Sequence, residues 1–319
     1  MGLDIFGRKV KKADSSGVSD TGRKGKKADS SGVPDTGRKV KKRRKVKELL
    51  LGAATWTAAG VTATALLYLI GFILVKGIPH ITPKLFSLTY TSDNVSLTPA
   101  LVSTVIITLL SLAIAAPLGI FAAIWLAEYA PRGSKAVAVI RITTETLAGI
   151  PSIVYGLFGL LFFVTFLGWG FSVIAGAFTL SVMILPLILR STEEALRSVP
   201  DTWREGAFGL GAGRLRMVFR VALPAAAPGI SAGLILAIGR IVGETAALIY
   251  TAGTVAQIPA NPMQSARTLS VHMYALSSEG LHTGEGYATA VVLLLAVILI
   301  NAASAAISRR VGIGNGARE

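Results

Sequence analysis

The chain has no cysteine, only three histidines, and 17 acidic residues against 32 basic ones in 319 positions. Without cysteine there is no disulfide framework and no thiolate metal site. His80, His272 and His282 have neither the spacing nor the acidic neighbours of a metal centre, so no metal is expected. A glycine-rich phosphate loop ending in Gly-Lys-Ser/Thr is also missing, which excludes ATP hydrolysis by this chain. No other cofactor motif takes its place. The chain is therefore expected to be no enzyme in itself.

Apolar residues dominate instead: 52% of the chain is hydrophobic and the mean hydropathy is +0.62. That is too apolar for a soluble protein, yet the formal charge is +15. The charge is unevenly placed, with +10 of it in residues 1–48, which hold 16 basic and six acidic side chains. This tail repeats itself as GRKVKKADSSGVSDT, GRKGKKADSSGVPDT and GRKVKK over residues 7–42. A repeat without apolar periodicity cannot bury a core, so a disordered basic tail is expected over 1–48. It is suited to fixing topology and to meeting anionic lipid headgroups of the membrane. Phe6 is its one aromatic residue, so base stacking has little to work with and no nucleic-acid partner is expected.

Six hydrophobic segments follow, at about 49–75, 100–127, 136–166, 171–189, 225–252 and 287–308. Each approaches the roughly 20 apolar residues that a helix needs to cross a bilayer. The first is too long and too far from the N-terminus for a removable signal, and reads as an anchor. One set of connections holds the tail, Arg132, Lys135, Arg190, Arg197, Arg204, Arg214, Arg216, Arg220, Arg309, Arg310 and Arg318; the other holds only Lys76, Lys84 and Arg267. Both termini are thereby placed in the cytoplasm. The expected domains are the tail, a transmembrane domain over 49–310 with a cytoplasmic loop at 190–224, and a short tail over 311–319. The fold class is all-α, with six transmembrane helices.

The cytoplasmic loop carries EGAFGLGAGRLRMVFRVALP, residues 205–224. Trp203, Ala207, Phe208 and Leu210 recur at helical spacing, predicting a short amphipathic helix. Gly209, Gly211 and Gly213 permit a sharp turn. A second short helix with Arg214, Arg216 and Arg220 should follow, leaving Pro224 and Pro228 in the first turns of the next membrane helix. Such a helix-turn-helix projecting from a membrane suits a groove on a partner.

Ionisable residues within spans are costly and therefore informative. Arg141 and Glu145, and again Arg240 and Glu244, stand four apart and are expected to share a helical face as ion pairs. An arginine held ready by a glutamate can offer bidentate donors to an oxyanion. Two self-neutralised pairs that pin helix packing are the plainer reading. Gly149-Ile150-Pro151-Ser152 interrupts the third span beside Glu145, and Gly239 and Gly243 flank Arg240; such breaks can open backbone groups to a cavity. The external connections, 76–99 and 254–286, are long and proline-bearing, and read as lids or docking edges.

The loop fits the pattern of ATP-binding cassette (ABC) importer permeases: Glu205-Gly206-Ala207, then Gly211, then Val221-Ala222-Leu223-Pro224. Gly206 and Val221 depart from its usual alanine and isoleucine. The strings Arg141 to Phe158, Glu193 to Leu196, and Ala237 to Ala246 resemble PstA-type permease subunits of phosphate ABC importers, and the resemblance covers residues 50–310. It implies a type I ABC importer permease in the cell (inner, cytoplasmic) membrane with a cytoplasmic coupling helix. Glu205, Gly206, Ala207, Gly211, Leu223 and Pro224 would couple to the ATPase, and Arg240, Glu244, Arg141 and Glu145 would line the phosphate pathway. The implied partners are a PstC-like sister permease, two PstB-like ATPase subunits and an extracytoplasmic phosphate-binding protein. Alternatives are a permease for sulfate or molybdate, an ion-coupled secondary transporter, and a membrane regulator acting through the tail.

Overall fold

The computed structural model describes residues 36–131 and 133–316, so Arg132, Arg318 and the repeats before residue 36 lie outside the described residues. Every regular element among the described residues is helical. The chain divides into two units, Met1–Ala63 and Thr64–Glu319. In the first, residues 36–63 belong to helix α1 (Thr36–Gly77). The stretch 36–48, expected as disordered tail, is thus helical: its lysines and arginines are good helix formers and lead directly into an apolar run.

In the second unit, α2 (Thr98–Ile124) runs on through a π turn at Trp125–Tyr129. α3 (Lys135–Ala148) and α4 (Ser152–Gly159, continuing as a π turn at Leu160–Phe166) meet at a bend of 98°. The third predicted span is therefore no single rod. Gly149 and Pro151 explain the break, because proline has no N–H to continue the ladder. The Tyr155 hydroxyl donates to the Leu147 carbonyl at 2.8 Å and bridges the bend.

α5 (Val173–Arg197) is the central helix, buried on most of its faces, between α2 and α8 (Leu223–Gly243). Small residues allow the close approach. A Cβ on Gly119 would stand 2.9 Å from Ile188 Cγ2. Leu180, Met183, Ile184 and Ile188 of α5 meet Ile107, Ala237 and Ile241 in the main core. Before α8 come α6 (Asp201–Gly209) and α7 (Arg214–Met217), whose Ala207 and Met217 join Leu196, Ala226 and Ile230 in a separate cytoplasmic cluster.

Two expectations about α8 are corrected. α7, a π turn at Val218–Ala222 and α8 form one continuous 30-residue helix, Arg214–Gly243, so the second short helix is the cytoplasmic start of the membrane helix. Pro224 and Pro228 consequently lie well inside this span, just after the π turn, where a missing N–H does least damage. The span also stops at Gly243 instead of 252. Glu244 turns extended (ψ 127°), and a short α9 (Ala246–Ile249) packs on α4.

α10 (Leu269–Glu279) buries Leu269, Val271, His272 and Leu276, so this part of the connection 254–286 is packed into the fold, whereas most of 254–264 is exposed. α11 (Thr283–Gly316) closes the chain against α8 and α10. Among the described residues five helices are long and apolar enough to cross a membrane, six when the bent α3–α4 pair counts as one span. Exposed Leu66, Leu109, Phe121, Leu161 and Leu299 supply the apolar outer surface that lipid would cover.

Candidate functional site: a coupling segment and two charged clusters

The cytoplasmic segment folds as a helix, a turn and a helix. Of the three glycines in the turn only Gly211 takes positive φ (+77°), which a side chain would strain. Ala207 is buried, whereas Glu205, Gly206 and the apolar Trp203, Phe208 and Leu210 are exposed, Leu210 at 91%. The amphipathic face of α6 therefore points away from its own protein. With Arg216 and Arg220 it borders a groove of about 410 Å³. Leu223 and Pro224 are half-buried in the continuous helix that begins at Arg214.

Arg204, beside the motif, fastens this segment. Its Nη2 donates to Glu128 Oε1 at 2.8 Å and to the Leu196 carbonyl at 2.7 Å; its Nη1 reaches the Val199 carbonyl at 2.6 Å and Asp201 at 3.1 Å. One guanidinium thereby ties α6 to the ends of α5 and α2. The Glu128 hydrogen bond is the main reason that its pKa is raised further above the ordinary arginine value. Sequence reasoning counted Arg204 only as a positive charge. Its place next to Glu205 was the available signal, but Glu128, 76 residues earlier, was not deducible.

Neither predicted Arg-Glu pair forms. Arg141 Nη2 bonds Glu193 Oε1 at 2.8 Å, and Arg197 reaches the same carboxylate at 3.2 Å. Glu145 stands 3.8 Å from Arg190, which pairs more closely with Glu194 at 2.9 Å. α5 presents the Glu193 carboxylate to Arg141 of α3, and tertiary packing overrides the local i,i+4 choice. Arg141 and Glu145 line one cavity of about 220 Å³ with Arg190, Glu193 and Arg197.

Arg240 and Glu244 part for another reason: the helix ends between them. The Glu244 carboxylate turns to accept the Ala247 N–H at 3.1 Å, capping α9. Arg240 has no carboxylate partner among the described residues. It lines a mostly apolar cavity of about 590 Å³ with Leu187, Leu236, Gly239 and Asn301, and lies close enough to Tyr155 for its charge to act there. α4 meets α9 at Gly156, where a Cβ would come 2.8 Å from Ala247 Cα. Two of the three strings that carry the PstA resemblance thus touch in space, Gly156 also meeting the Ala246 carbonyl, while Arg141 and Arg240 line separate cavities.

Residues 115–313 match the family described as the binding-protein-dependent transport system inner membrane component. The chain belongs to that family. It is a permease subunit of an ABC importer, a transport subunit spanning the cell membrane several times. The permease is 35% identical over 280 residues to the probable ABC transporter permease protein YqgI of Bacillus subtilis (strain 168), covering 82% of this chain and 95% of that one. It is 36% identical over 233 residues to the phosphate transport system permease protein PstA of Xylella fastidiosa (strain 9a5c), covering 72% and 81%. The PstA-type resemblance is thereby borne out. Among solved structures, a chain of a bacterial alginate ABC transporter, in complex with its alginate-bound periplasmic protein, superposes with a TM-score of 0.61. It covers 87% of this chain and 98% of that one at 17% identity, which establishes the shared fold.

Proposed function

We propose that this permease forms half of the pathway of an ATP-driven importer of inorganic phosphate. The observation that carries the reading is Arg240, a cation within a membrane helix that has no carboxylate partner among the described residues and lines a cavity. A buried charge is costly unless something pairs with it, and an anion passing along the route would do so transiently. The name of the 36%-identical PstA relative supports phosphate as that anion. Arg240 and Glu244 belong to the substrate route in this reading, and Arg141 and Glu145 line its cytoplasmic part, held by α5.

Coupling runs through one rod. Arg214 and Arg240 stand 26 residues apart on the same continuous helix, roughly 39 Å at 1.5 Å per residue. A partner ATPase that seats Trp203, Phe208 and Leu210 in a groove would move that helix directly, with Glu205, Gly206, Ala207, Gly211, Leu223 and Pro224 setting the shape of the contact. The partners in this reading are a PstC-like sister permease, two PstB-like ATPase subunits that hydrolyse the ATP, and an external phosphate-binding protein.

Phosphate uptake into proteoliposomes holding these components tests it. Arg240→Gln should reduce uptake at least a hundredfold with the complex intact, and Glu205→Lys should release the ATPase. Normal uptake by Arg240→Gln would reduce Arg240 to a packing residue. Competition by sulfate or molybdate equal to that of phosphate would reassign the substrate.

A further inference from the structure

Arg267 lies in the connection between α9 and α10 and is only 5% exposed. Its N–H donates to the Val255 carbonyl at 3.1 Å, and its guanidinium carbon lies 4.6 Å from the centre of the Tyr90 ring. No carboxylate pairs with it among the described residues. Its Nε and Nη2 are both buried and both lack a hydrogen-bond partner. Those two nitrogens share one edge of the guanidinium, a pair of parallel donors matched to two oxygens of an oxyanion.

His272 stands one turn into α10, fully buried, with both ring nitrogens unpartnered and its ring edge-on to Tyr90 at 6.1 Å. Burial first, and the Arg267 charge second, lower its pKa to about 3; the Val95 backbone acts weakly the other way without reaching hydrogen-bond geometry. At neutral pH the imidazole is uncharged and offers a single N–H. Val95 itself holds φ +45°, strained for a β-branched residue. At the start of α10 the Leu269 N–H donates to Thr104 Oγ1 at 2.9 Å and Thr268 supplies no cap; the N-terminus of a helix favours negative charge.

We propose that Arg267, His272 and the start of α10 form an occluded oxyanion site on the extracytoplasmic side of the route, taking a tetrahedral ion of the inorganic phosphate class. The identity of the ion rests on the phosphate reading above. Tyr90, whose ring meets both Arg267 and His272, is half-buried; a free ion can enter such an interior alone, whereas a partner's carboxylate would have to carry its backbone with it. The site is joined to the Arg240 helix: Ser270 Oγ donates to the Glu244 carbonyl at 2.6 Å.

Arg267→Lys keeps the charge over Tyr90 and loses the two-donor edge. In the fully assembled proteoliposome system it should raise the KM for inorganic phosphate at least tenfold, with kcat within twofold and binding-protein docking unchanged. His272→Gln should raise KM by about three- to fivefold and stands in if Arg267→Lys fails to assemble. An unchanged KM in the assembled variants would leave water as the only occupant and overturn the site. Lost docking of the binding protein at unchanged phosphate affinity would assign the edge to a partner's carboxylate and overturn it equally. If the wild-type complex imports sulfate or molybdate and no phosphate, the phosphate reading fails, and the same KM comparison with the imported anion decides the site.

Discussion

The arginines that join α3, α5 and α6 and two of those higher in the fold live under opposite rules. Arg141, Arg190, Arg197 and Arg204 each meet at least one carboxylate at 3.2 Å or less. Arg240 and Arg267 meet none among the described residues. The first group fastens: Glu193 holds α3 to α5, and Glu128 holds the coupling helix to the ends of two membrane helices. The second group is left with donors that the protein does not fill. A permease needs both, because a lever must stay rigid where force enters and a route must offer charge without already having neutralised it.

The largest expected effect breaks the fastened side. Glu128→Ala removes the main partner of Arg204, whose side chain is 15% exposed against 5% for Glu128. Asp201 would remain beside Arg204 at 3.1 Å but is exposed, so losing the buried Glu128 contact should cost about 3 kcal/mol, the lower end for breaking a buried pair. Thermal unfolding of the assembled complex would read it, together with ATPase activity uncoupled from transport. An unchanged melting temperature would mean that Asp201 and the backbone carbonyls of Leu196 and Val199 suffice to hold Arg204.

His272 sharpens the unfilled side through pH. Its folded pKa, about 3, lies below the ordinary 6.5, so between these values the unfolded chain binds more protons than the folded one. Stability is then complete above pH 6.5 and falls as pH drops, at up to about 1.4 kcal/mol per unit. Across pH 6 to 4.5 this amounts to about 2 kcal/mol. Thermal inactivation measured over that range should lose most of its acid slope in His272→Gln. A slope that persists would place the acid sensitivity elsewhere.

The smallest effect tests whether every cytoplasmic pair matters. Glu145 is 74% exposed and stands 3.8 Å from an arginine that already has a nearer partner. Glu145→Gln should change stability by no more than about 0.5 kcal/mol. A loss above 1 kcal/mol in the same unfolding measurement would show that the outer pair also fastens α3.

Hydropathy located the membrane segments because a bilayer needs length and apolarity, and both are local properties of the chain. The break that Gly149 to Ser152 announced in the third segment is there, but its 98° angle and the early end of the fifth segment were not foreseen, since α4 and α9 are short pieces packed on each other: Gly156 against Ala247 is a contact between residues 91 apart. The coupling motif was legible for a related reason. Its glycine turn and its helical spacing are local, and Gly211 takes the positive φ that the pattern demanded.

Charge partners were not legible. The i,i+4 spacing of Arg141 with Glu145 and of Arg240 with Glu244 is a valid helical pairing rule, and each failed through something outside its own turn. Glu193 on α5 competes for Arg141, and the helix stops before Glu244 can face Arg240. Arg267 and His272 were counted only as one external charge and one non-ligand. By itself the sequence determined an all-helical membrane chain with a helix-turn-helix segment between spans, because periodicity, hydropathy and glycine placement act over a few residues; that it is a permease came from its resemblance to a family. Which arginines are neutralised and which are left without a carboxylate among the described residues was decided only by tertiary structure, because a charge inside the fold takes its partner from whatever helix packs beside it.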